Sequence, residues 1–221
     1  MCHKNYLRVF KIWIITKVTK DGELNMKYVI TIGREYGSGG RFIGRLVAEK
    51  LGIPFYDNEL LIEAAKESGL SPSIFESYDE KQDGFLGGGL GMYSYDMTLS
   101  QKVFLAQFDT IKKITEEKSC VIVGRCADYV LKENPNVVNV FICAPMEDKI
   151  KRAIEYYGIK PEKAASYIVK KDKKRKGYYN FYTDMDWGKA SNYDLCINSR
   201  IGIEGCVDTI VDYTKRRFHL E

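Results

Sequence analysis

The chain has 221 residues, 45% hydrophobic and 29% charged, with 34 Lys+Arg against 30 Asp+Glu and a formal charge of +4. That is an ordinary folded composition, long enough for one well-buried α/β domain with a smaller insert, and no apolar run reaches the length of a membrane span. The only histidines, His3 and His219, lie at the chain ends, which sets aside a Ser-His-Asp triad, a His-activated cysteine and a His-rich zinc site.

Residues 1–25 carry an apolar patch, VFKIWII, that is interrupted by Lys11 and followed by no small-residue cleavage site, so it reads as neither a span nor an export signal. Met26 directly precedes the first clear strand. Residues 1–25 are therefore expected to be an extension upstream of the natural start, and 26–221 a single domain. An apolar run, YVITIG, leads into the glycine-rich stretch REYGSGG, and then into a helix with Phe42, Ile43, Leu46, Val47 and Leu51 expected on one face. Gly52 ends that helix. IPFYD reads as a short strand, ELLIEAAKES as a helix, and Ser71-Pro72 as the start of another. The glycine-rich stretch 83–95, DGFLGGGLGMYSY, reads as a mobile loop.

The remaining elements alternate as follows: helix QKVFLAQFDTIKKITEE, strand SCVIVGR, helix CADYVLKE, strand VVNVFICA, helices near 146–157 and 161–178, strand YDLCINS and helix IEGCVDTIVDYTKRR. Apolar strands without alternation, separated by helices, indicate a mostly parallel sheet covered on both faces. Ligands bind such sheets beyond the carboxyl ends of the strands, where the glycine loop, Asp57 and Gly124-Arg125 all fall. Six cysteines, at 2, 120, 126, 143, 196 and 206, show neither CxxC spacing nor a disulfide framework, which suits a reducing cytoplasm. Cys143 and Cys196 are expected to be buried as small hydrophobes within their strands.

A nucleotide phosphate needs inward backbone N–H donors, a helix N-terminus behind it and no side chain blocking the approach. Gly37, Ser38, Gly39 and Gly40 meet those needs. Set against G-x-x-x-x-G-K-[ST], however, the register that matches Gly39 places Arg34 at the first glycine, Gly40 at the lysine and Arg41 at the hydroxyl. Lysine and hydroxyl are both missing, and Arg34 or Arg41 is expected to supply the charge. A dinucleotide loop is the competing motif, with Asp57 as the ribose acid, but its third glycine falls on Phe42. Residues 170–176, KKDKKRK, are either a solvated helix face or a phosphate-binding lid.

With this loop, FYDNEL, VIVGRCADYVL and the KKDKKR…YDLCINS ending in order, the chain resembles the cytidylate kinase-like family, a branch of the P-loop nucleoside monophosphate kinases, over about residues 27–217. The resemblance implies an α/β, three-layer P-loop kinase-like fold with a five-stranded parallel sheet, an acceptor-binding insert at about 57–115 and a basic helical lid at about 158–188. It implies ATP on Arg34, Gly37, Ser38, Gly39, Gly40 and Arg41, with Mg2+ held mainly by phosphates and water rather than by protein ligands. Asp57, Arg125 and Asp128 would meet the acceptor, and Arg175, Arg152 and Asp172 would act at the transferred group. Asn58, Glu59, Glu63 and Cys126 depart from the cytidylate kinase pattern, which leaves the acceptor open among nucleotides and other small molecules. Asp57 as a helix N-cap is the structural alternative, and Tyr178, Tyr179, Phe181, Tyr182 and Trp187 are expected to pack the lid. Three other readings remain: a phosphate-sensing module that binds without turnover, an NAD-type oxidoreductase, and a nucleic-acid binder resting only on the basic run. No nucleic-acid or membrane partner is expected.

Overall fold

The computed structural model describes residues 26–57, 60, 63 and 99–221. The expectations for residues 1–25, for the helices following Asp57 and for the loop 83–95 lie outside the described residues.

Five strands form one parallel sheet in the order β2-β3-β1-β4-β5, namely β1 (Val29–Arg34), β2 (Phe55–Tyr56), β3 (Cys120–Val123), β4 (Val137–Cys143) and β5 (Leu195–Asn198). The helices are α1 (Gly40–Leu51), α2 (Leu99–Glu117), α3 (Ala127–Val130), α4 (Met146–Tyr157), α5 (Pro161–Thr183) and α6 (Ile203–Phe218). The two-residue period of the strands divides the core. Ile30, Ile32, Val121 and Val123 pack with Ile43 and Val47 of α1 and with Val207 and Ile210 of α6. Val29, Cys120 and Ile122 pack on the other face with Ile111 and Ile114 of α2 and Val130 of α3. Each fully buried isoleucine contributes roughly 1.5–3 kcal/mol, so the stability of the chain resides in the sheet and its two covers.

Phe42, expected on the buried face of α1, is 55% exposed. The stripe that faces the sheet is Gly40, Ile43, Gly44, Val47 and Ala48, and Phe42 precedes it by about 100° of helix rotation. Cys196 is also exposed and Cys143 only half-buried, because β5 is an edge strand with a single covered position, Ile197, and Cys143 ends β4. The CADYVLKE helix is a single turn, Ala127–Val130, whereas the helix expected at 161–178 runs on to Thr183. Among the described residues, no helix is long and apolar enough to cross a membrane.

Candidate active site

Beyond the carboxyl ends of β1 and β3 lies a cavity of about 390 Å³. Two turns build its floor. In the first, β1 passes through Glu35, Tyr36, Gly37 and Ser38 to Gly39, the N-cap of α1, with Gly37 at φ +75° and Gly39 at φ +83°. A Cβ on Gly37 would lie 2.9 Å from the Lys149 carbonyl oxygen, so the loop runs against the backbone of α4 and only glycine fits. No side chain caps α1 and its first turn has no acid, which leaves the positive end of its dipole facing the cavity for an anion. The Ser38 hydroxyl is fully buried and donates to the Glu35 carbonyl at 2.8 Å. It shapes the loop from within.

Below this turn sits an ion network that the sequence did not disclose. Lys149, 5% exposed, reaches Asp172 at 2.8 Å and Glu35 at 3.2 Å. Burial alone would lower the lysine's pKa, but the hydrogen bonds and charges of Asp172 and Glu35 outweigh it and raise the pKa above its ordinary value. Asp172 also accepts from the Tyr36 backbone N–H at 2.6 Å, and Glu35 from the Ala144 N–H at 3.1 Å. Asp172, expected at the transferred group, is thus placed as a clamp between α5 and the loop. Arg152 has a comparable place: its guanidinium donates to the Gly37 carbonyl and to the Ser199 hydroxyl, each at 3.1 Å. Lys149 and Arg152 share one face of α4 at i, i+3, the one sequence signal that could have paired them.

The second turn follows β3. Gly124, Arg125 and Cys126 have φ of +81°, +59° and +55°, three successive left-handed residues of which two carry side chains. Each such non-glycine residue costs roughly 1–2 kcal/mol, and the turn aims Arg125 into the cavity. Asp128, two residues beyond Cys126, accepts from the Tyr179 hydroxyl at 2.7 Å. Burial raises the Asp128 pKa, opposed by the Tyr179 hydrogen bond. Burial and Asp128 together push the Tyr179 phenol up.

Among the described residues, six cations line the cavity, Arg34, Arg41, Arg125, Lys171, Lys174 and Arg175, against three carboxylates, Glu35, Asp57 and Asp128. Asp57 is 6% exposed and meets Arg41 Nε at 2.6 Å and Arg34 at 3.8 Å. Its carboxylate is therefore engaged by arginines, in place of the ribose of the dinucleotide reading. Burial is the main reason that Arg34 is lowered to about 9, followed by the repulsion of Arg175. Arg175 is lowered by burial too; it donates to the Arg34 carbonyl at 3.1 Å and stacks 5.6 Å from the Tyr36 ring centroid. A cluster of like charges in a buried site has a high affinity for a multiply charged anion.

Helical periodicity divides the basic run of α5 between two faces. Tyr167, Lys171, Lys174, Arg175 and Tyr178 line the cavity at three- and four-residue spacing, while Lys170, Lys173 and Lys176 are exposed on the opposite side. Of the aromatic residues expected to pack the lid, Tyr182 stacks on Phe104 at 4.2 Å and Phe181 is 68% exposed, whereas Tyr178, Tyr179 and Trp187 line the cavity. Tyr36, Tyr157, Tyr167 and Tyr193 join them there and carried no recognisable sequence signal.

Residues 29–201 match the cytidylate kinase-like family. The cytidylate kinase of Thermococcus kodakarensis is 28% identical over 77% of this chain and 79% of its own. That of Methanocaldococcus jannaschii is 24% identical over 85% and 99%. Among solved structures, an uncharacterized protein from Eubacterium ventriosum superposes with a TM-score of 0.65 at 32% identity, over 86% of this chain and 99% of its own. The shikimate kinase of Bacteroides thetaiotaomicron, at 14% identity and a TM-score of 0.52 over 85% and 98%, shares the fold.

Proposed function

The chain belongs to the cytidylate kinase-like family, and from that premise we propose that it is an ATP-dependent phosphotransferase whose acceptor is a small phosphorylated molecule, a nucleotide. The observation that carries this reading is the convergence of Arg34, Arg41, Arg125 and Arg175 on a cavity between a helix-capping glycine loop and Asp57. Phosphoryl transfer asks a protein for position and neutralised charge rather than covalent chemistry. In the step proposed, a phosphate oxygen of the acceptor forms the new P–O bond to the γ-phosphorus while the bond to the β-phosphate oxygen breaks, releasing ADP.

An ionised acceptor phosphate brings no proton to remove, and the carboxylates of the cavity suit that. Glu35 is held by Lys149, Asp57 by Arg41 and Asp128 by Tyr179. Gly37–Arg41 would cradle the donor, Arg125 would orient the acceptor, and Arg175 with Lys171 and Lys174 would neutralise the transferred group. Mg2+ would be carried mainly by the donor's own phosphates and water. The metal would shield the phosphate charge when bound. Asp172 and Arg152 would position the loop.

The test is ADP formation from Mg-ATP against a panel of nucleoside monophosphates and small hydroxyl compounds, with Arg125→Ala as the control. Turnover with one or more monophosphates that the control loses is the expected result. Turnover only with hydroxyl acceptors would overturn the acceptor class, and saturable ATP binding without any turnover would make the chain a sensing module.

A further inference from the structure

The loop lacks the lysine that usually follows its last glycine, and the cations around it include Lys149, Arg41 and Arg34. Lys149 lies below the loop, its ammonium held by Glu35 and Asp172. Arg41, with a half-exposed side chain, is held by Asp57 at 2.6 Å. Arg34 differs from both, because its course is framed by glycines.

A Cβ on Gly40 would lie 2.6 Å from Arg34 Cβ and 3.1 Å from its Cγ, and a Cβ on Gly124 would fall on its guanidinium. The overlap at position 40 is with the Arg34 Cβ, which no rotamer change moves, whereas the one at position 124 is with the movable tip of the side chain. A side chain at position 40 and the arginine at position 34 therefore exclude one another. Arg34 leaves the end of β1, crosses the start of α1 where the lysine would have begun, and reaches the second turn beside Arg125.

Resting on the reading that this loop binds the donor's phosphates, we propose that Arg34 is the loop's phosphate-binding cation, and that Gly40 is glycine because the arginine stem fills the lysine's place. A guanidinium suits this route. Its planar fork can bond oxygens of two phosphate groups at once, where an ammonium acts as a point charge. Arg34 remains cationic at neutral pH, although burial and the nearby Arg175 hold its pKa down to about 9. An anion would oppose both effects.

The experiment is calorimetric titration with ATP and, separately, with inorganic tripolyphosphate, alongside thermal melting, on the full chain and four variants. Arg34→Met, which keeps the stem and removes the charge, is expected to weaken both ligands about 100-fold while leaving the melting temperature unchanged or higher. Gly40→Lys alone is expected to lower the melting temperature, because two stems then compete for one space. The double variant Arg34→Gly with Gly40→Lys is expected to melt above Gly40→Lys and to bind tripolyphosphate roughly tenfold more tightly than Arg34→Gly alone. Wild-type affinity in Arg34→Met, or a double variant no better than its parents in both measurements, would overturn the inference and leave the kinase reading intact. A wild-type chain that binds neither ATP nor tripolyphosphate would overturn both.

Discussion

The turn after β1 and the turn after β3 face the same cavity and are built on opposite terms. The first uses glycine wherever φ is positive, at Gly37 and Gly39, and offers backbone. The second places Arg125 and Cys126 in the same left-handed region and offers a side chain. A backbone cradle needs close approach, which side chains would block. An arginine that must enter from one fixed point accepts strain to do so, and the well-packed sheet beneath absorbs it. The first turn is in addition supported from below by Lys149, Glu35, Asp172 and Arg152.

That support gives the largest way to break the comparison. Lys149→Met leaves Glu35 and Asp172 facing each other without their cation, and is expected to destabilise the chain by about 3–5 kcal/mol, read by urea denaturation. A loss below about 1 kcal/mol would show that the network lies loose under the loop. On the other turn, Arg125→Ala and Arg125→Gly are expected to lose the same activity, about 10²–10³-fold in kcat. The glycine variant should nevertheless be more stable than the alanine one by about 1 kcal/mol. Equal stability would mean that position 125 is not strained.

Gly37→Ala carries the argument back to the first turn. Its Cβ would meet the Lys149 carbonyl at 2.9 Å in a left-handed backbone, so a loss of roughly 1–3 kcal/mol with weaker ATP binding is expected in melting and titration. Asp128 sharpens the comparison at the smallest scale. Because its folded-state pKa is raised, it contributes stability that is present at acid pH and lost as pH rises through that folded value. Asp128→Asn keeps an acceptor for Tyr179 without the charge, so it should equal or exceed the wild type at pH 7 by up to about 1 kcal/mol and flatten the acid side of the stability profile.

Much of this was legible beforehand, for reasons that particular residues make plain. The strand-loop-helix at 29–51 announced itself because period and glycine placement are local properties, and so did the parallel sheet. Arg34 and Arg41 could be named because a phosphate loop without its lysine needs another cation, and Arg125 and Arg175 through the resemblance to the cytidylate kinase-like family. What stayed hidden depends on elements distant in the chain. Lys149 carries no signal of its own in the sequence, and only the packing of α4 under the loop makes it the counter-ion of Glu35 and Asp172. Asp172 and Arg152 were given to the transferred group, yet they are placed where they hold the loop. The exposure of Phe42 and Cys196 likewise depended on which face each element turned to the sheet.

α5 touches both turns at once, through Asp172 on the Tyr36 N–H and through Tyr179 on Asp128. The two residues are seven apart, two helical turns or about 10 Å, on one side of a continuous rod. Such a rod cannot tilt away from one turn without loading its grip on the other. For the phosphotransferase proposed above, donor and acceptor would then share a single gate, and saturation with either is expected to lower the Michaelis constant for its partner.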